Sequence, residues 1–497
     1  FTLGQAERAY YITEVYHPGL LENQFYYPNL FLSSIMIDND SDQDGTLNPG
    51  ETAQLRLSIG NAWGTNADSL LLTLSTEDPR LTIIDSIVQF SDSLPPGEIS
   101  FGPLADWFEV RAHDEVNLGT VNCNLNMKAN ISTLPYEINN DVEISINLNQ
   151  YGFPIDGVVI KSSPIIVDLD QNMINDIFFG SDNGKFYGYM TGGIPQYGFP
   201  FDVGDNIRSS PAVRDVDLDG VNEIVFGSNN GNLYILDPFG NQELVYNQSG
   251  MIIGSPALVD LDQNGDFEIV FTTQQGNSGK VYAITEDGED VSGFPVNLGE
   301  KMLAGAAAGD LEGDGSPDIV VCTWGDNIYA IENDGTIKPG FPVTSTNRFN
   351  APPTLVDIDG DGDLEIIAGN DSGLLHILHH DGEEMATFDT GDDIRGGISV
   401  ADVNDDGSYE LLFTGYDDIL HVWNPIEGAE LQGWPFDMGS NSLSEPLTAD
   451  LDNDGDLEII AAKKDGIAFI FHHDGTPYSN SPLNLAGSIE SSPAIGD

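Results

Sequence analysis

Basic residues are what this sequence has least of. There are 16 Lys and Arg against 81 Asp and Glu in 497 residues, a formal charge of −65. Nucleic acids and anionic membranes are recognised through basic patches, so both are excluded as principal partners. Cysteine is almost missing. Cys123 and Cys322 lie nearly 200 residues apart, outside any CxxC pattern, and read as small buried hydrophobes rather than a disulfide framework or a thiolate metal site. No apolar run reaches the ~18 residues that a membrane-spanning helix needs. The chain opens at Phe1 without a leader pattern, as expected of a mature or truncated product. Catalytic signatures are missing too: there is no G-x-S-x-G and no H-E-x-x-H. The chain therefore reads as noncatalytic.

What is abundant is acid at fixed spacing. In 357–366, DIDGDGDLEI, Asp357, Asp359 and Asp361 alternate, Gly362 follows, and Glu365 comes four residues after Asp361. Oxygen ligands at positions 1, 3, 5 and 9, with a glycine at 6 and a carbonyl near 7, wrap a hard cation such as calcium. The pattern recurs six more times, the first aspartates separated by 47, 45, 50, 47, 45 and 48 residues. The ligand positions are Asp168, Asp170, Asn172 and Asp176; Asp215, Asp217, Asp219 and Glu223; Asp260, Asp262, Asn264 and Glu268. They continue as Asp310, Glu312, Asp314 and Asp318; Asp402, Asn404, Asp406 and Glu410; Asp450, Asp452, Asp454 and Glu458. One such match is as easily a solvated acidic turn; seven at near-constant period define a repeat architecture with calcium as its cofactor. Asn172 and Met173 replace an acid and the glycine, so the loop at 168 is expected to be the weakest site.

The repeats occupy 151–497, each with the same plan. A Ser-Ser-Pro-like opening leads into a short strand, then come the acidic loop, a second strand, a tight turn such as Asn230-Gly231, a third strand, and a fourth often preceded by Gly-Phe-Pro. Four short strands per ~47 residues describe a propeller blade. Seven blades are expected, eight as the alternative, because 491–497 repeats a blade opening and 152–154 resembles a fourth strand. Spare terminal strands predict a ring closed within the chain; strand exchange between molecules, giving self-assembly, is the competing reading.

Residues 28–150 read as β throughout, with strands expected at 55–59, 70–75, 81–85, 121–129 and 142–148, as in an Ig-like sandwich. Within them Asp40, Asp42, Asp44, Thr46, Asn48 and Glu51 fall at EF-hand ligand positions between strand-like flanks, a further calcium loop. Residues 1–27 predict a short helix from Thr2 to about Val15, the tail of an upstream domain.

The acidic loop, the Phe226-Gly227-Ser228 segment and the Asn-Gly hairpin together resemble the FG-GAP/VCBS repeat, the calcium-binding propeller of integrin alpha chains and many secreted bacterial proteins. The resemblance spans about 345 residues. The segment 44–61 is similar to sandwich modules beside secreted bacterial peptidases and adhesins. The resemblance implies an all-β chain with calcium loops between the first and second strands of each blade. It also implies an extracellular or cell-surface location and a protein or glycan ligand in adhesion or assembly. The alternative is the accessory region of a larger secreted peptidase or polysaccharide lyase. His379-His380 and His472-His473 read as turn residues, and Trp324, Trp423, Trp434, Tyr329 and Tyr416 as packing.

Overall fold

The computed structural model describes residues 27–38, 45–100, 107–113, 116, 118–130, 135–147, 153–155, 157–451, 454–478, 481–485 and 487–496. The helix expected at 2–15 lies outside them. The chain divides into two units, Phe1–Pro154 and Ile155–Asp497. Among the described residues there is no α-helix, and no helix long and apolar enough to cross a membrane.

In the first unit the strands are β1 Leu30–Asp38, β2 Thr52–Asn61, β3 Leu71–Ser75, β4 Leu81–Asp85, β5 Ile87–Gln89, β6 Ile99–Ser100, β7 Phe108–Ala112, β8 Gly119–Ala129 and β9 Tyr136–Ile146. They form two antiparallel sheets, β1-β2-β7-β4 with β6 beside β2, and β5-β3-β8-β9. Alternation sets the faces. Along β8, Val121, Cys123, Leu125, Met127 and Ala129 are buried while Asn122 is exposed. These side chains share one core with Leu55, Leu57, Ile59, Phe108 and Val110 of the other sheet, so the unit is a two-sheet sandwich.

Among the described residues the second unit is a run of seven antiparallel sheets in meander order, five of four strands and two, the first and the sixth, with a fifth short strand beside the third. Their second strands are Asp176–Gly180, Glu223–Gly227, Glu268–Gln275, Asp318–Cys322, Glu365–Gly369, Glu410–Thr414 and Glu458–Lys463. Each begins at position 9 of an acidic loop. The sequence EIVFG is buried at every residue because both faces of the sheet are covered. Ile224 and Phe226 pack with Phe178 and Phe186 of the preceding blade, while Val225 joins Ile269 and Phe271 of the next. Phe186 and Phe226 stack with centroids 4.2 Å apart.

Glycine marks the closest approaches. A Cβ on Gly254, at the opening of the third blade, would lie 2.3 Å from the amide nitrogen of Gly305 in the fourth. The glycine of Gly-Phe-Pro has a blade-to-blade role that sequence did not suggest. Gly293 has φ +97°, and its Cβ would stand 1.8 Å from the carbonyl oxygen of Asp334 in the next blade's turn.

Hydrogen bonds between the small residues opening successive blades draw the array into a ring. Ser163 N donates to Ser210 Oγ at 2.8 Å. Glu445 N donates to Ser492 Oγ at 3.1 Å, and Ser492 N donates to Ser163 Oγ at 3.1 Å. Lys161 and Glu490 add an ion pair at 2.9 Å. The C-terminal segment thus bridges the last blade and the first, and the unit has a β-propeller fold. At its centre is a cavity of about 490 Å³.

Candidate metal centre

Each acidic loop connects the outer end of a blade's first strand to its second, and its carboxylates fold the loop before any ion is considered. In the loop at 215, Asp215 Oδ2 accepts from Gly220 N at 3.0 Å, Asp217 Oδ1 from Asp219 N at 3.1 Å, and Asp219 Oδ1 from Val221 N at 2.8 Å. Glu223, 1% exposed, reaches back so that Oε2 accepts from Val216 N at 2.8 Å. The same back-bond joins Glu268 to Leu261, Glu365 to Ile358, Glu410 to Val403 and Glu458 to Leu451. In these five loops position 9 is thus a buried strut as well as a candidate ligand. Glycine at position 6 has φ between +95° and +101° at Gly220, Gly265, Gly315, Gly362 and Gly455, the left-handed turn that brings the acids together.

Beyond these backbone contacts, carboxylates of three loops converge. One ligand atom each from Asp215, Asp217 and Glu223 lies within 4.8 Å of the others, as for Asp260, Asp262 and Glu268, and for Asp357, Asp359 and Asp361. Asp215 Oδ1, Asp260 Oδ1 and both carboxylate oxygens of Asp176 are buried without a hydrogen-bond partner among the described residues. Such orphaned anionic oxygens, crowded with like charges, are what a hard cation satisfies. Burial, opposed by the Val216 hydrogen bond and reinforced by Asp217, Glu243 and Asp215, pushes Glu223 up to about 7. Burial with Asp170 and Asp168 lifts Asp176 to about 6, and burial also raises Glu268, Glu365 and Glu410.

Four loops have partners that sequence reading missed. At 310–318, the Nζ of buried Lys338 lies 3.0 Å from Asp318 and pairs with Glu312, so this loop already contains a cation. Burial still raises Asp318 to about 6, against the pull of Lys338. His379 Nδ1 lies 3.2 Å from Glu365 Oε1, and His472 Nδ1 lies 3.1 Å from Glu458 Oε1. The turn position expected for these histidines is correct, and from it they reach the carboxylate at position 9. Asn424 does the same for Glu410 at 3.1 Å. The recurrence of a polar residue 14 positions after the acid was the available signal.

In the loop at 168, Met173 takes the glycine's place with φ 70° and is 93% exposed, while Asp168 Oδ2 still accepts from its amide at 2.8 Å. In the first unit Asp40, Asp42 and Asp44 lie outside the described residues, as does Asp452 in the second. Of that first loop's remainder, Glu51 is buried and its Oε2 accepts from Asn48 N at 2.9 Å, and Thr46 Oγ1 is 3.4 Å from Asn48 Oδ1. Cys123 and Cys322 are buried free thiols.

Residues 260–321 and 310–368 match the model of the FG-GAP-like repeat, so the propeller unit carries FG-GAP-like repeats. Among solved structures, the chain is 13% identical to BBS1N in its complex with ARL6DN, covering 67% of this chain and 95% of that one at a TM-score of 0.46. BamB from Moraxella catarrhalis is 16% identical, over 67% of this chain and 91% of its own, TM-score 0.46. Quinohemoprotein alcohol dehydrogenase ADHIIG from Pseudomonas putida is 12% identical, over 69% and 68%, TM-score 0.48. The comparison with curated proteins returned no match.

Proposed function

We propose that this chain is a calcium-stabilised, noncatalytic binding or structural protein that acts outside the cell, in adhesion or extracellular assembly. The observation that carries the reading is the pair of buried, unpartnered carboxylate oxygens at Asp215 and Asp260, each in a loop whose carboxylates converge. Carboxylates and a backbone carbonyl are the donor set of calcium. Open surface loops of this kind suit the millimolar calcium found outside cells. When bound, calcium would cancel the mutual repulsion of the loop acids. The chain's own residues fix the loop: position 1 clamps the turn, positions 3 and 5 order the amides that follow, and position 9 ties the loop to the sheet. The blades, seven in this reading, then act as a scaffold whose other end is available for a ligand. The N-terminal sandwich is read as an Ig-like module with its own calcium loop at 40–51. Calcium titration followed by thermal melting tests the proposal. A large calcium-dependent rise in Tm is expected, and an identical melting curve in excess chelator would overturn it.

A further inference from the structure

Five of the chain's 16 Lys and Arg recur at one place in the blade plan. Lys161, Arg208, Lys301, Arg348 and Arg395 all lie just before the first strand of a blade. Each first strand runs from this opening to its acidic loop, so the five sit at the end of the propeller away from the loops. Four of them are matched by acids. Lys161 pairs with Glu490, Arg208 with Asp182 at 3.0 Å, and Arg348 and Arg395 share Asp371 at 2.6 and 2.8 Å, Arg395 also meeting Asp393. Lys301 forms no ion pair among the described residues. Its Nζ stands 3.4 Å from the centre of the Trp324 ring, and the Arg348 guanidinium stands 4.2 Å from the same ring.

Two cations therefore share one indole. Arg348 spends only Nε on Asp371, leaving its two terminal nitrogens and the Lys301 ammonium without hydrogen bonds to described residues. The frame around them is rigid: Trp324 Nε1 donates to Asn350 Oδ1 at 2.9 Å, and Asn350 Nδ2 donates to Asp371 Oδ1 at 2.7 Å. Burial and the nearby Arg348 both lower the Lys301 pKa, as expected of a cation lacking its anion. Asn350 and Arg395 also line the central cavity of about 490 Å³, where Ser163, Ser210, Ser492 and the carboxylates Glu445 and Glu490, the latter paired with Lys161, are further lining residues. That volume falls in the range of small-ligand sites.

We propose that the Lys301–Trp324–Arg348 cluster binds the carboxylate of an acidic saccharide, a uronate, whose sugar hydroxyls reach toward the Asn350 and serine-lined cavity. Spare ammonium and guanidinium donors suit a carboxylate, and serine hydroxyls with the Glu445 and Glu490 carboxylates in the lining suit the hydroxyls of a sugar. An acidic peptide fits less well, because extended peptides dock on open strand edges. The hairpin turns here, Thr323–Asn327 and Asn370–Leu374, hydrogen-bond internally and offer no such edge. Global repulsion from the −65 charge does not forbid the contact, since exposed charges beyond about 8 Å are screened at physiological salt.

The inference rests on the reading of the propeller as a calcium-stabilised binding scaffold, so binding and calcium-dependent melting are measured on the same samples. Tetragalacturonate is titrated calorimetrically into the full chain in millimolar calcium, beside its methyl ester and tetraglutamate. Saturable binding of the uronate alone is expected, with Lys301→Gln and Arg348→Gln each weakening it about tenfold or more, the scale of a lost charge-assisted hydrogen bond. Arg214→Gln, whose guanidinium stacks on Phe267 beside an acidic loop, is expected to leave it unchanged. Failure of the uronate to bind, unchanged binding by both variants, or equal binding of the ester or of tetraglutamate would each overturn the proposal. Intact calcium-dependent melting in such a case would leave the scaffold reading standing.

Discussion

Replacing Glu223 by Gln separates the two roles of position 9. Gln keeps an oxygen to accept from Val216 N and removes the charge. In the calcium-free protein that charge is a burden: the carboxyl, 1% exposed, is lifted from 4.5 to about 7. A folded-state pKa above the unfolded one gives stability that is complete below about pH 4.5 and is lost as pH rises through 7. At 1.36 kcal/mol per unit, holding Glu223 ionised at pH 8 costs at most about 3 kcal/mol. Glu223→Gln should therefore stabilise the chelated protein by about 1–3 kcal/mol, which is roughly 2–6 °C in Tm for a large domain. With calcium present the advantage shrinks. The variant loses a ligand, and one site at millimolar calcium is worth about 1–2 kcal/mol to the wild type. The assay is thermal melting of both proteins, in chelator and in calcium, from pH 4.5 to 8. The wild-type curve in chelator should fall as pH rises, and the variant's should fall less. If Glu223→Gln melts lower than wild type in chelator at pH 8, the reasoning is refuted, because the carboxylate would then be an ordinary structural acceptor.

Other expectations follow from neighbouring features. Asp359→Ala should lower the Tm of the calcium-loaded protein more than Asn172→Ala, since the loop at 168 already lacks one acid and its glycine; equal losses would contradict unequal sites. The loop at 310–318, with Lys338 between Glu312 and Asp318, should take calcium more weakly than the loop at 357, as measured by single-loop variants in a calcium titration. Burial alone would lower the pKa of His421, but Asp417 at 2.8 Å and Glu430 at 2.6 Å hold it above its usual value. Its stabilisation should therefore persist to above pH 6.5, and an NMR titration placing it below that value would refute the pairing. Deleting 487–497 removes the Ser492 and Glu490 contacts with the first blade. The full chain should be monomeric by light scattering and the truncated one should melt lower; dissociation of an oligomer on truncation would show exchange between molecules instead.

The acidic clusters were legible because their carboxylates lie within nine residues of one another, so spacing alone points to the groups at 215, 260 and 357. The blade plan was legible for the same reason: each hairpin is local, and the near-continuous apolar second strands announce burial on both faces. What sequence did not reveal depends on the ring. Lys338 reaches Asp318 across the blade, 20 residues away. Lys301 and Arg348 meet on Trp324, and Arg348 and Arg395 on Asp371, only when successive blades turn about one axis. Trp324 was read as packing; it is half-buried and flanked by Lys301 and Arg348. The glycine of Gly-Phe-Pro was read only as part of the mark of a fourth strand, whereas Gly293 makes room for the carbonyl of Asp334 in the following blade. In the sandwich, β1 was read only as a strand-like flank at 35–37, and β7 was not expected as a strand. Phe108, Val110 and Ala112 nevertheless alternate inward, in a run of five residues too short to stand out beside β8.

The central claim is that the acidic loops are calcium sites on which the fold depends. Equilibrium dialysis with radioactive calcium at neutral pH tests it most directly. Seven loops of the repeat type and one of EF-hand spacing are present. The account predicts about one ion per loop at saturation, with the loop at 168 filling last. Saturation at one ion or none would contradict it.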